Sequence, residues 1–60
     1  GKTDRERLTA ILRNTKGTIS VADTANILDV DATNAAKMLS RWTKKGWMSR
    51  VRRGLYVPVP

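Results

Sequence analysis

The stretch over residues 29–46, DVDATNAAKMLSRWTKKG, decides how the rest of the chain can fold. Four of its apolar side chains recur at intervals of three and four, the spacing of one face of an α-helix. They are Ala35, Met38, Leu39 and Trp42. Asp31 is a good N-cap for a helix that begins at Ala32, and Gly46 is a typical stop. The pattern predicts a helix over residues 32–45 with one side turned toward a core.

The opposite side of this predicted helix carries side chains that can form hydrogen bonds. At 100° per residue, one cluster shares this side and two further residues flank it. The cluster is Thr33, Lys37, Ser40 and Lys44, and the flanking residues are Asn34 and Arg41. The major groove of duplex DNA admits a helix whose exposed side offers donors to bases and phosphates. We therefore predict that these six residues bind DNA.

Two shorter helices are predicted before this one. The first covers residues 3–15, with Leu8, Ile11 and Leu12 on one face, and ends at Lys16-Gly17. The second covers residues 21–28, and its inward residues are predicted to be Ala22, Ala25, Ile27 and Leu28. Ser20 and Asp23 have the spacing of a capping box at its start. The partly β-branched residues 18–20 predict a short strand, and residues 28–31 form a tight connection to the third helix.

The last part of the chain, residues 47–59, predicts a β-hairpin. Val51 and Leu55 flank the triplet Arg52-Arg53-Gly54, a three-residue loop in which the glycine takes positive φ beside a bulge. This register pairs Val51 with Leu55, Ser49 with Val57 and Arg50 with Tyr56. Pro58 and Pro60 indicate an edge or the end of the strand. Arg50, Arg52 and Arg53 become candidate contacts to a phosphate strand or a minor groove.

Two short helices joined by a tight turn, followed by a basic hairpin, are typical of a winged helix-turn-helix. The predicted fold class is mainly α with a small β-hairpin: three helices plus a wing sheet of two or three strands. We expect residues 1–60 to form a single DNA-binding domain and to be a piece of a longer protein. A single winged helix covers a short site, so we expect a homodimer or a further C-terminal domain to complete specificity.

Charge and composition narrow the function classes. The 60 residues carry twelve Lys and Arg against five Asp and Glu, a formal charge of +7, and no acid follows Asp31. Such a balance is typical of a protein that binds a polyanion. The chain has no cysteine and no histidine, so a disulfide, a cysteine-based zinc site and a histidine base are excluded. We expect no enzymatic activity, cofactor, metal or small-molecule substrate.

No apolar run approaches the roughly 20 residues needed to span a bilayer, and no signal peptide is evident. The expected setting is the cytoplasm, without a membrane partner.

Two segments resemble the recognition segment and wing of many bacterial winged-helix repressors: residues 28–39, LDVDATNAAKML, and residues 44–58, KKGWMSRVRRGLYVP. The ending RGLYVPVP, residues 53–60, more particularly resembles the N-terminal domain of AbiEi-type antitoxins from type IV toxin–antitoxin systems. That resemblance implies a following antitoxin domain, together with binding and repression of the operon's own promoter. Position 31 departs from many such repressors, since it is Asp rather than Ser. A carboxylate caps the helix but repels phosphate.

Two other functions remain open at this point. The first is a protein-interaction or dimerisation module without direct DNA readout, because fold alone does not settle function. The polar, basic outer side of the third helix argues against it. The second is RNA or single-strand binding, which usually requires exposed aromatic side chains. Trp42, Trp47 and Tyr56 are the available aromatics, and we expect the two tryptophans to pack in or over the core.

Overall fold

The three helices formed by residues 3–60, the part of the chain that the computed structural model describes, all begin at a side-chain cap. They are α1 (Asp4–Asn14), α2 (Val21–Leu28) and α3 (Ala32–Lys44). The capping residues are Thr3, Ser20 and Asp31, and each accepts a hydrogen bond from the backbone N–H three residues on. Each bound lies within one residue of its predicted position. The predicted capping box of Ser20 and Asp23 is also present.

The connection between α2 and α3 is a tight turn. Asp29 has a left-handed conformation, with φ of 55°, and its N–H bonds to the carbonyl of Ala25. Within residues 3–60 it is the one residue other than glycine with positive φ. Aspartate tolerates this conformation better than most side chains. As a result, α2 ends at Leu28 and α3 begins at Ala32, with three residues between them.

A three-stranded antiparallel sheet completes the fold. The strands are β1 (Ile19–Ser20), β2 (Met48–Arg52) and β3 (Leu55–Pro58), in the order β1-β3-β2. We call residues 48–58 the wing. The predicted short strand before α2 is therefore present, and it pairs with the free edge of β3. The predicted winged-helix class, three helices with a small sheet, is confirmed.

The register of the wing differs from the prediction at one pair. Ser49 pairs with Val57 and Arg50 with Tyr56, as predicted, but Arg52 rather than Val51 lies opposite Leu55. The hairpin therefore closes with a two-residue turn, Arg53-Gly54, and Val51 becomes an extra residue in a bulge. Gly54 keeps its predicted positive φ, at 76°.

The core lies between α1, α3 and the sheet. Its buried members are Leu8, Ile11, Ile19, Leu39, Trp42, Met48 and Tyr56. The side of α2 that faces inward holds Thr24, which is fully buried and donates a hydrogen bond to the Ser20 carbonyl. Ala22 is exposed, so the prediction that it points inward is wrong. Leu12, on the predicted apolar face of α1, is 43% exposed. Each lies at the edge of an apolar face that its neighbours do not cover completely.

Candidate nucleic-acid interface

The outward side of α3 is set by the residues behind it. Ala35, Leu39 and Trp42 are fully buried, so the opposite side of the helix faces solvent. The six predicted residues of α3 are all exposed: Thr33, Asn34, Lys37, Ser40, Arg41 and Lys44. Lys37 and Lys44 make no salt bridge within residues 3–60. Both ammonium groups are therefore available to an external anion.

Arg41 has a different environment from these two lysines. Its Nε and Nη2 atoms each lie 2.8 Å from a carboxylate oxygen of Asp4. The same carboxylate is 3.2 Å from Nη1 of Arg7 and 3.7 Å from Nζ of Lys45. We call these four residues the Asp4 cluster. Part of the charge of Arg41 is thus balanced inside the protein.

The electrostatics of the cluster follow from this geometry. The hydrogen bonds from Arg41 lower the pKa of Asp4 well below its usual range and outweigh the raising effect of burial. The buried indole N–H of Trp42 lies near enough to contribute in the same direction, although it has no partner with hydrogen-bond geometry in the described chain. In return, Asp4 raises the pKa of Arg41.

The wing presents the other three predicted basic residues. Arg50, Arg52 and Arg53 are exposed, and Nε of Arg50 donates to the carbonyl of Arg52 at 3.4 Å. Because of the bulge, Arg50 shares a sheet face with Tyr56, whereas Arg52 shares the opposite face with Leu55. Val51 is 55% exposed between them. The wing therefore offers arginines on both of its faces.

The aromatic side chains are engaged within the domain. Trp42 is fully buried and Tyr56 is 8% exposed. Trp47 is half-buried against the core. The Cζ atom of Arg5 lies 5.0 Å from the centroid of its ring, and the Nζ atom of Lys45 lies 4.7 Å from it. The predicted core positions of both tryptophans are confirmed. This leaves no open aromatic platform among the described residues for stacking of unpaired bases.

A comparison with models of protein families assigns the chain to one family. A family model described as "Transcriptional regulator, AbiEi antitoxin" matches residues 6–59. The chain belongs to this family. Searches with this chain found no match among curated proteins and none among solved structures. The match spans α3 and the whole wing, and it confirms the resemblance seen in the sequence.

Membership supports a regulatory role for this AbiEi-family chain, since the family is described by transcriptional regulation and not by an enzymatic reaction. None of the helices within residues 3–60 has the length and hydropathy needed to cross a bilayer.

Asp4 is the residue near the interface that sequence reasoning missed. No motif in the sequence singles it out, whereas in the structure its carboxylate reaches the far end of α3. Asp4 and Arg41 lie 37 residues apart, so no local spacing rule connects them. Arg7, Arg41 and Lys45 come together around this half-buried carboxylate only in the folded structure.

The lowered pKa of Asp4 predicts a specific acid dependence of stability. Asp4→Asn should destabilise the domain by about 1 kcal/mol at neutral pH, the upper range for partly exposed pairs. The contribution of Asp4 is fully present above about pH 4, the ordinary pKa of an aspartate, and declines progressively as the pH falls from there toward its lowered value. The difference in unfolding free energy between wild type and Asp4→Asn should therefore be clearly smaller at about pH 2 than at about pH 7.

Urea unfolding followed by circular dichroism, from about pH 7 to about pH 2, measures this difference. Glu6→Gln is the matched control, because Glu6 occupies the same first turn of α1 without a salt bridge in the described chain. A difference between wild type and Asp4→Asn that stays constant across this pH range contradicts the interpretation.

Proposed function

We propose that this chain binds double-stranded DNA with sequence specificity, with α3 in the major groove and the wing on the backbone or in the minor groove. We further propose that it acts as an autorepressor of a toxin–antitoxin operon. One observation carries the first part: the exposed side of α3 is polar and basic over its full length, with fully buried residues directly behind it. The family description supports the second part.

The proposed readout divides between the two elements. Thr33, Asn34 and Lys37 lie in the first two turns of α3, the end of a recognition helix that contacts base edges. Asp31, at the same end, accepts a hydrogen bond from the Asn34 N–H at 2.7 Å, so its carboxylate serves the helix rather than the DNA. Ser40 and Lys44 continue the exposed side toward the wing.

The wing arginines supply contacts that do not depend on base sequence. Phosphate contacts supply much of the affinity and set the register of the protein on the duplex, whereas base-edge contacts discriminate between sequences. Arg50, Arg52 and Arg53 make no salt bridge within residues 3–60. Their full charges are available to one DNA strand or to a narrow minor groove.

Two alanine variants separate these roles. On a duplex selected by the wild-type chain from a random library, Lys37→Ala should raise Kd about tenfold and reduce discrimination against a scrambled duplex. Arg52→Ala should weaken binding to both duplexes equally and reduce the slope of log K against log salt by about one. Fluorescence anisotropy at several salt concentrations measures both effects.

Arg13→Ala is the control for loss of one positive charge, because Arg13 is exposed on α1, outside the α3 side and the wing. It should have a smaller effect than either variant. Unchanged duplex affinity in both Lys37→Ala and Arg52→Ala contradicts the proposed docking.

A second candidate function is a protein-docking module, and one observation favours it. A surface groove of about 390 Å³ lies between α1 and the end of β3, lined in part by Leu8, Leu12, Trp47 and Val59. Leu12 and Val59 are each more than 40% exposed. Exposed apolar side chains of this kind suit a protein partner better than DNA. We rank this second, because the basic residues lie mainly on α3 and the wing.

A further inference from the structure

The Asp4 cluster joins two elements that are distant in sequence. Asp4 lies in the first turn of α1, while Arg41 and Lys45 come from the C-terminal end of α3. The bidentate pair between Asp4 and Arg41 has two contacts of 2.8 Å, the short distances expected of charge-assisted hydrogen bonds. The first turn of α1 thus fixes one guanidinium beside the proposed DNA-binding side.

The fixed guanidinium retains unused donors. An arginine has five N–H donors, and Asp4 takes one from Nε and one from Nη2 of Arg41. The side chain of Arg41 is still 46% exposed, whereas that of Asp4 is 17% exposed. The carboxylate is therefore the more covered partner, and the remaining donors can reach a ligand from solvent.

The charge and position of the cluster suit an anionic ligand. Arg7, Arg41 and Lys45 surround a single carboxylate, so the cluster keeps a formal surplus of two positive charges. Arg41 lies four residues after Lys37 and three before Lys44, the spacings that make helix residues neighbours. It adjoins the exposed side of α3 on the flank that faces α1.

We propose that Asp4 is a positioning residue for DNA recognition, which holds the Arg41 guanidinium so that its unused donors meet the duplex beside Lys37 and Lys44. This inference rests on the proposed function. A free arginine loses rotamer freedom when it binds, whereas one already held by a carboxylate loses little. A guanidinium fixed in its plane also discriminates between acceptor arrangements, because its fork matches two acceptors at once.

A purely electrostatic role of Asp4 predicts the opposite effect on DNA binding. If its carboxylate only neutralises Arg41 and repels phosphate, its removal tightens binding to every duplex. If it positions Arg41, its removal weakens binding to the preferred sequence relative to others. The ratio of the Kd for a scrambled duplex to the Kd for the selected duplex distinguishes the two effects.

Asp4→Asn provides the test, with the duplex selected by the wild-type chain and its scrambled counterpart as probes. The Kd ratio is expected to fall about three- to tenfold, the effect of one side chain that must be ordered on binding. Kd for the scrambled duplex should stay constant or decrease, because a negative charge is removed. Glu6→Gln makes the same charge change in the same turn and should leave the ratio unaltered.

A double variant separates positioning from a general effect on folding. In an Arg41→Ala background, Asp4→Asn should cause no further fall in the ratio, because no guanidinium remains to be positioned. A fall of the same size in both backgrounds overturns the inference, and so does a ratio that Asp4→Asn leaves unchanged or raises.

Failure of the inference can be distinguished from failure of the proposed function. If the wild-type chain binds the selected and scrambled duplexes equally, both this inference and the proposed function are overturned. Wild-type discrimination that Asp4→Asn preserves overturns the inference alone.

Discussion

Trp42→Ala is expected to remove most of the free energy of unfolding of the domain, so that a large fraction of the protein is unfolded at room temperature. Trp42 is fully buried and is the largest side chain of the core that joins α1, α3 and the sheet. Truncation of a buried tryptophan to alanine costs about 3–5 kcal/mol. A domain of this size has a total stability of about 3–9 kcal/mol. The loss therefore approaches the whole stability of the fold.

Urea unfolding followed by circular dichroism at the helix band measures this loss. Trp47→Ala is the matched control, since the same residue type is removed from a half-buried position on the edge of the core. Its cost should be clearly smaller, because part of that ring already contacts solvent and the side chains of Arg5 and Lys45. A cost for Trp42→Ala equal to or below that for Trp47→Ala contradicts the described core.

Binding to duplex DNA is expected to depend steeply on salt. Five basic residues of α3 and the wing make no salt bridge within residues 3–60: Lys37, Lys44, Arg50, Arg52 and Arg53. If each lies close enough to the duplex to release one condensed counterion, whether it contacts a phosphate or a base edge, the slope of log K against log salt is about −4.5. Kd should then rise about 500-fold between about 50 and about 200 mM salt.

Removal of one of these contacts provides the control. In Arg52→Ala the same change in salt should raise Kd only about 150-fold, because one fewer counterion is released. Fluorescence anisotropy with a labelled duplex at four or more salt concentrations gives both slopes. A wild-type slope shallower than about −2 contradicts a contact surface made by α3 and the wing together.

The helices were predictable because their signals are local. Thr3, Ser20 and Asp31 each bond to a backbone N–H three residues away, so a short stretch of sequence contains both partners. The buried side of α3 followed from periodicity in the same way, and its polar side is exposed as expected. The DNA-binding role of that side stays a prediction.

The wing register was not predictable from its own sequence. Gly54 can take positive φ in either a two-residue or a three-residue turn, so residues 51–55 permit both closing pairs. In the structure β1 also pairs Ser20 with Leu55, and the Val21 N–H donates to the Gly54 carbonyl at 3.3 Å. These partners lie more than 30 residues from the turn, and no hairpin rule includes them.

The edges of the core show the same limitation. Periodicity indicated the apolar side of α1 but did not indicate how far neighbouring elements cover it. Leu8 and Ile11 are buried, while Leu12 remains open at the groove beside Trp47. How far Leu12 is covered depends on the end of β3, which lies far from α1 in the sequence.

Titration of ¹⁵N-labelled protein with the selected duplex, followed by amide chemical shifts, tests the central claim most directly. DNA binding by the helix-turn-helix and wing predicts the largest shifts over residues 33–44 and 50–54. It also predicts that most of the remaining amides keep their positions, since preorganised complexes change little in backbone structure. Shifts confined to α1 and the groove of Leu12 and Val59, or no shifts with the duplex, contradict the account.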